Sequence, residues 1–203
     1  MSFNTPSQTG GATPPLVALA IIALFAVDDL AVRSATGTWQ SNVFKLAARD
    51  RSIVPIQITM AAGFVIALFA PRFAPALDLG GPTWIPTTIG MVLVAAGITL
   101  RAWAILTLGT SFSRAVRVEP DQPVVTNGPY RFARHPSYTG LLLAFTGIGV
   151  IVWNALSIAA LALVPTIGLV IRILVEERAL RSTLGSRYED YARGRPRLMP
   201  GIW

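Results

Sequence analysis

Apolar residues along this chain gather into runs of roughly 17 to 25, the length a helix needs to cross ~30 Å of hydrocarbon. Such runs leave little choice of fold. In lipid every backbone polar group must be satisfied internally, so an isolated apolar run folds as a transmembrane helix. Composition agrees, since 53% of the 203 residues are hydrophobic and only 17 basic plus 10 acidic side chains carry charge. That is about half the charged share of a soluble domain, and it excludes disorder as the overall state.

The runs are Leu16–Val32, Ile53–Ala70, Ile85–Leu108 and a long stretch from Tyr138 to Val175. The last is too long for one span and is interrupted at Trp153-Asn154, which predicts two helices in a tight hairpin. The fold class is therefore an all-α integral membrane protein with about five transmembrane helices. Pro55 and Pro165 fall inside spans, where neighbouring helices can satisfy the freed carbonyls. Residues 1–15 carry no charge and are rich in Ser, Thr, Gly and Pro. They lack the positive start of a signal peptide and read as a disordered tail. Residues 16–108 hold the first three spans, and 109–203 hold a polar connection, the hairpin and a polar C-terminal segment.

Basic residues set the orientation. Arg33, Lys45, Arg49 and Arg51 lie between spans one and two, Arg114, Arg117, Arg131 and Arg134 between three and four, and six arginines follow span five. The alternate connections hold Arg72 alone. The positive-inside rule then puts the N-terminus outside and the C-terminus in the cytoplasm. The net charge of +7 thus belongs to membrane topology rather than to nucleic acid. A basic set of sixteen Arg and one Lys, with abundant Ala, suggests a bacterial source and an inner membrane. No Cys and one His leave no disulfide, thiol nucleophile or protein-built metal cage.

Asp28, Asp29, Arg101 and Arg172 fall near the cytoplasmic ends of their spans on this topology. Ionisable groups at such depth are expensive and pair or line a polar cavity, unless they snorkel to the interface. Polar residues otherwise concentrate in the connection before span four and from Glu176 to Trp203. Arg134-His135-Pro136 reads as a helix start whose backbone N–H groups are free for a ligand. Gly140 and Gly147 share a face, suited to close helix packing or to a ligand edge. Glu176 and Glu177 sit ~100° apart on a helix, so at most one points squarely into a shared pocket. Tyr188 and Tyr191 share a face and serve as interfacial anchors or as a substrate border.

The string Gly128-Pro-Tyr-Arg-Phe-Ala-Arg-His-Pro-Ser-Tyr-Thr-Gly140, the later Glu176-Glu-Arg-Ala-Leu, Gly185-Ser-Arg-Tyr-Glu-Asp-Tyr and Arg197-Leu-Met-Pro200 resemble the isoprenylcysteine carboxyl methyltransferase family. Phospholipid N-methyltransferases are relatives of that family. The resemblance covers roughly residues 109–203 and implies S-adenosylmethionine as cofactor. Its pocket would be closed by the connection before span four and by a cytoplasmic C-terminal segment. By the same resemblance Tyr130, His135, Pro136, Tyr138, Gly140, Glu176 and Glu177 bind the cofactor, and Arg134, Glu177 and Arg197 are the catalytic set. Arg197 matches a residue placed near a substrate carboxylate. The partners implied are the bilayer and a lipophilic small molecule or lipid, with neither nucleic acid nor metal.

Methyl transfer from a sulfonium is an in-line displacement that needs alignment and exclusion of water more than proton chemistry. A carboxylate acceptor is already ionised and needs an Arg to orient it. An amine acceptor would need a base, for which Glu177 or His135 serves. The acceptor stays open between an isoprenylcysteine-like carboxylate, an amine lipid and another isoprenoid. An NADPH-dependent membrane reductase of related fold is the rival enzyme, and a non-enzymatic membrane protein the rival outside enzymes.

Overall fold

The computed structural model describes residues 14–37, 50–116, 118–199 and 203. Most of the expected tail, together with Lys45, Arg49, Arg117 and Pro200, lies outside the described residues. The rest is helical, with α1 at Pro14–Thr36, α2 at Ile53–Phe73, α3 at Trp84–Leu108, α4 at Pro136–Val152, α5 at Ala155–Leu184 and α6 at Ser186–Ala192. The first three apolar runs are each one helix, and the fourth is two, α4 and α5. Among the described residues, Ile53–Phe73, Trp84–Ser111 and Ala155–Leu184 are long and apolar enough to cross a membrane, and Pro136–Val152 is a shorter apolar helix. Large side chains such as Leu68, Val92 and Trp84 stand exposed along α2 and α3, as a lipid-facing surface requires.

Local chemistry explains the helix ends. Asp50 accepts from the Ser52 N–H at 2.9 Å and from its hydroxyl at 2.7 Å, fixing the turn into α2. The hairpin between α4 and α5 forms where the sequence breaks. Trp153 adopts a left-handed conformation, φ 61°, and Asn154 caps α5 by accepting from the N–H groups of Leu156 and Ser157. The Asn154 amide also donates to the Ala74 carbonyl and to Asp78, tying the hairpin to the end of α2. Gly185, φ 55°, ends α5 and turns the chain into α6.

Glycines decide how closely α3 and α4 approach. A Cβ added to Gly97 would lie 2.5 Å from the Gly140 carbonyl oxygen, and one added to Gly140 would lie 2.6 Å from that of Gly97. Gly90 and Gly147 form a second such pair. The shared glycine face is therefore helix packing. Behind it Phe145, Ile148 and Ile151 of α4 are fully buried with Leu161 and Leu169 of α5. Helix α5 packs along α2, and α1 leans on α3 and α4.

Candidate functional site

The connection before α4 and the segment after α6 meet at one end of the bundle. The Arg134 N–H donates to the Pro196 carbonyl at 2.9 Å and the His135 N–H to that of Arg197 at 2.8 Å. Thr139 adds a bond to the Leu198 carbonyl at 2.7 Å. This corrects the expectation of free donors at the start of α4. A distant strand of chain takes them, which no local pattern could reveal.

Helix α5 runs past Val175 to Leu184 and carries both glutamates, whose fates differ. Glu177 is 1% exposed and sits among three cations, Arg134 Nη1 at 2.6 Å, Arg197 Nε at 3.1 Å and Arg181 Nη2 at 3.2 Å, with His135 Nε2 at 3.4 Å. Arg197 also stacks on Trp203, its guanidinium 4.5 Å from the ring centre. Glu176 turns the other way and accepts from the Tyr138 hydroxyl at 2.7 Å. An acidic pair that the sequence could not separate is thus split by geometry.

A cavity of about 360 Å³ opens beside Glu176, within the range usual for small-molecule sites. Of the expected site residues, Tyr130, Arg134, His135, Tyr138 and Glu176 line it. Pro136, Gly140, Glu177 and Arg197 do not. Pro136 is the buried first residue of α4, and Gly140 faces α3. All four tyrosines of the chain reach the cavity, the third and fourth being Tyr188 and Tyr191 of α6. Tyr191 donates to the Tyr130 carbonyl at 2.9 Å, and burial pushes its hydroxyl up to about 12. Burial, then the charge of Glu177, pushes Tyr188 up as well, so it is a neutral donor near pH 7. The Tyr188 hydroxyl and Arg134 Nε are buried without hydrogen-bond partners among the described residues.

Charged residues of the spans line the same cavity. Asp28 binds Arg101 Nε and Arg114 Nη2, each at 2.6 Å, and Asp29 binds Arg114 at 2.6 Å. Arg101 Nη1 donates to the Ser137 hydroxyl at 2.8 Å. Arg172, 4% exposed, binds Asp50, Ser52, the Arg114 carbonyl and the Tyr138 hydroxyl. Burial alone would raise the Asp50 carboxyl, but the Val116 N–H, Ser52 and Arg172 outweigh it and hold it at about 2. These groups pair around a cavity rather than snorkel. Arg101 and Arg172 were legible as costly intramembrane charges, yet no motif marked them as part of the site. Leu24 and Phe25 of α1 and Ile53, Ile56 and Met60 of α2 add an apolar stretch to the cavity lining.

Residues 88–182 match the isoprenylcysteine carboxyl methyltransferase family. Over this stretch the chain is similar to that family. A probable protein-S-isoprenylcysteine O-methyltransferase of Oryza sativa subsp. indica is 38% identical over 111 residues, 54% of this chain and 58% of the relative. Protein-S-isoprenylcysteine O-methyltransferase B of Arabidopsis thaliana is 34% identical over 121 residues, 59% of this chain and 61% of the relative. The chain thus matches about three fifths of the length of these curated relatives. A solved structure of the eukaryotic intramembrane Ras methyltransferase of the family superposes with a TM-score of 0.67 at 27% identity, covering 94% of this chain and 69% of that one. These relatives are eukaryotic, whereas the composition had suggested a bacterial source. The likeness to that family and the long apolar helices together make this an integral membrane protein.

Proposed function

We propose that the protein is an S-adenosylmethionine-dependent methyltransferase whose acceptor is the carboxylate of an isoprenylcysteine-like molecule. All five long helices span the bilayer in this reading, with the N-terminus outside and the cavity opening toward the cytoplasm. The observation that carries it is one cavity that joins charged residues to apolar ones. Glu176, Tyr138, His135 and Arg101 line it together with an apolar stretch from α1 and α2.

The residues present fit the cofactor. Glu176 is a carboxylate for its ammonium group, and the unpartnered Arg134 Nε and Tyr188 hydroxyl are donors for its carboxylate. Leu180, Leu184 and Tyr130 give its adenosine an apolar seat. When bound, the cofactor supplies an electrophilic methyl group on sulfur. Held by Glu176, Arg134 and Tyr188, it would offer that methyl group to an acceptor carboxylate oxygen, with the bonding electron pair left on its sulfur. No proton need move, and the chain's task is to align the two and keep water out.

We assign orientation of the acceptor carboxylate to Arg101 rather than to Arg197. Arg101 lines the cavity with its fork braced by Asp28 and Ser137, whereas Arg197 is committed to Glu177 and Trp203. The test is purified protein in detergent, titrated with S-adenosylhomocysteine and with NADPH. Transfer of labelled methyl to an S-prenylcysteine or to an amine phospholipid is then measured. Binding of the sulfur compound with base-labile label in the prenylcysteine is expected. Label in the amine lipid alone would move the acceptor class, and binding of NADPH alone would overturn the reading.

A further inference from the structure

We propose that Arg172 and Tyr138 form a positioning relay that fixes the direction of the Glu176 carboxylate toward the cavity. The proposal rests on the reading of Glu176 as the group that meets the cofactor's ammonium. Its argument begins with hydrogen-bond chemistry. A guanidinium has only donors, so the contact from Arg172 Nε to the Tyr138 hydroxyl oxygen at 3.3 Å consumes a lone pair of that oxygen. The single hydroxyl proton must then go elsewhere. It points at Glu176 Oε2, 2.7 Å away. Tyr138 is the hydrogen-bond partner of Glu176 among the described residues, so Oε1 is left for a ligand.

The relay is anchored well outside the cofactor end. Arg172 lies one turn before Glu176 on α5, yet its other nitrogens bind Asp50 and Ser52 at the start of α2 and the Arg114 carbonyl in the connection before α4. Four separate pieces of chain therefore set the direction of one hydroxyl proton. A carboxylate held this way need not reorganise when it meets a cation, which is the condition for electrostatic preorganisation. A purely structural role would predict something different: loss of Arg172 or Tyr138 would loosen the whole cavity and weaken every ligand alike.

Two probes separate those outcomes. S-adenosylhomocysteine carries the amino-acid group that Glu176 would meet, and 5′-methylthioadenosine lacks it. Tyr138→Phe is expected to weaken S-adenosylhomocysteine roughly tenfold, the scale of one charge-assisted hydrogen bond, and to leave 5′-methylthioadenosine unchanged. In a Glu176→Gln background the same substitution should add no further loss. Arg172→Gln, read with the same two probes, tests the relay independently of the packing of Tyr138. No loss, equal loss for both compounds, or additive losses in the double variant would overturn the relay alone. A wild-type protein that binds neither compound would overturn the reading of the site and the relay with it.

Discussion

Glu176 and Glu177 are neighbours in the chain but belong to two regions built for different purposes. Around Glu177 the carboxylate is sealed, with Arg134, Arg197, Arg181 and His135 gathered on it from three parts of the chain. Around Glu176 one hydroxyl holds the carboxylate and the cavity lies beyond it. Both clusters are charged, with Glu177 buried and Glu176 half-buried. The difference is whether the charges are satisfied by the protein itself. A carboxylate covered by several cations fastens chain segments together, while one held by a single neutral hydroxyl is ready for a ligand.

The largest effect that would break this comparison is at Glu177. Glu177→Ala leaves Arg134 and Arg197 uncompensated, and stripping one partner from a buried ion pair costs about 3–5 kcal/mol. The melting temperature in detergent should fall sharply, and an unchanged value would contradict the fastening role. Packing beside the cavity comes next. Gly97→Ala forces a Cβ against backbone atoms of α4, an overpacking cost of about 1–3 kcal/mol. That loss should appear as stability, with S-adenosylhomocysteine affinity little changed.

Arg101→Lys sharpens the comparison on the acceptor side. It keeps the charge but loses the fork, so KM for a prenylcysteine acceptor should rise about tenfold, the scale of one charge-assisted contact, at constant cofactor affinity. A shift in cofactor affinity instead would remove Arg101 from the acceptor's wall. A pH-dependent effect is expected at Asp50, whose carboxyl is held at about 2 in the folded protein and near 3.9 unfolded. Its contribution is present above pH ~4 and lost as pH falls toward ~2, because the unfolded chain binds the proton first. Asp50→Asn should therefore flatten the acid limb of melting temperature against pH.

Much of this fold was legible in sequence because its signals are local. Apolar runs and the Trp153-Asn154 break each mark helix boundaries that the structure shows. The helical continuation from Val175 to Leu184 was harder to see. Its charged residues look like a connection, and they are helical because Glu177 pairs one turn ahead with Arg181 and is covered by Arg134 and Arg197. The motifs marked where site residues would gather, though not which of them would face inward. Spacing puts Glu176 and Glu177 on different faces, but only the position of α4 and of the segment ending at Met199 decides which face is sealed. Likewise nothing near Arg134 in sequence foretells that the carbonyls of Pro196 and Arg197 take the donors at the start of α4.

The most direct test pairs the two glutamates. Glu176→Gln and Glu177→Gln, measured side by side for melting temperature and for S-adenosylhomocysteine affinity, should separate cleanly. Glu176→Gln should keep the melting temperature within about 2 °C, as expected for a change near 0.5 kcal/mol in a chain this size, and lose cofactor affinity. Glu177→Gln should lose stability first. Identical losses in both quantities for the two variants would contradict the division between a ligand-facing and a fastening carboxylate.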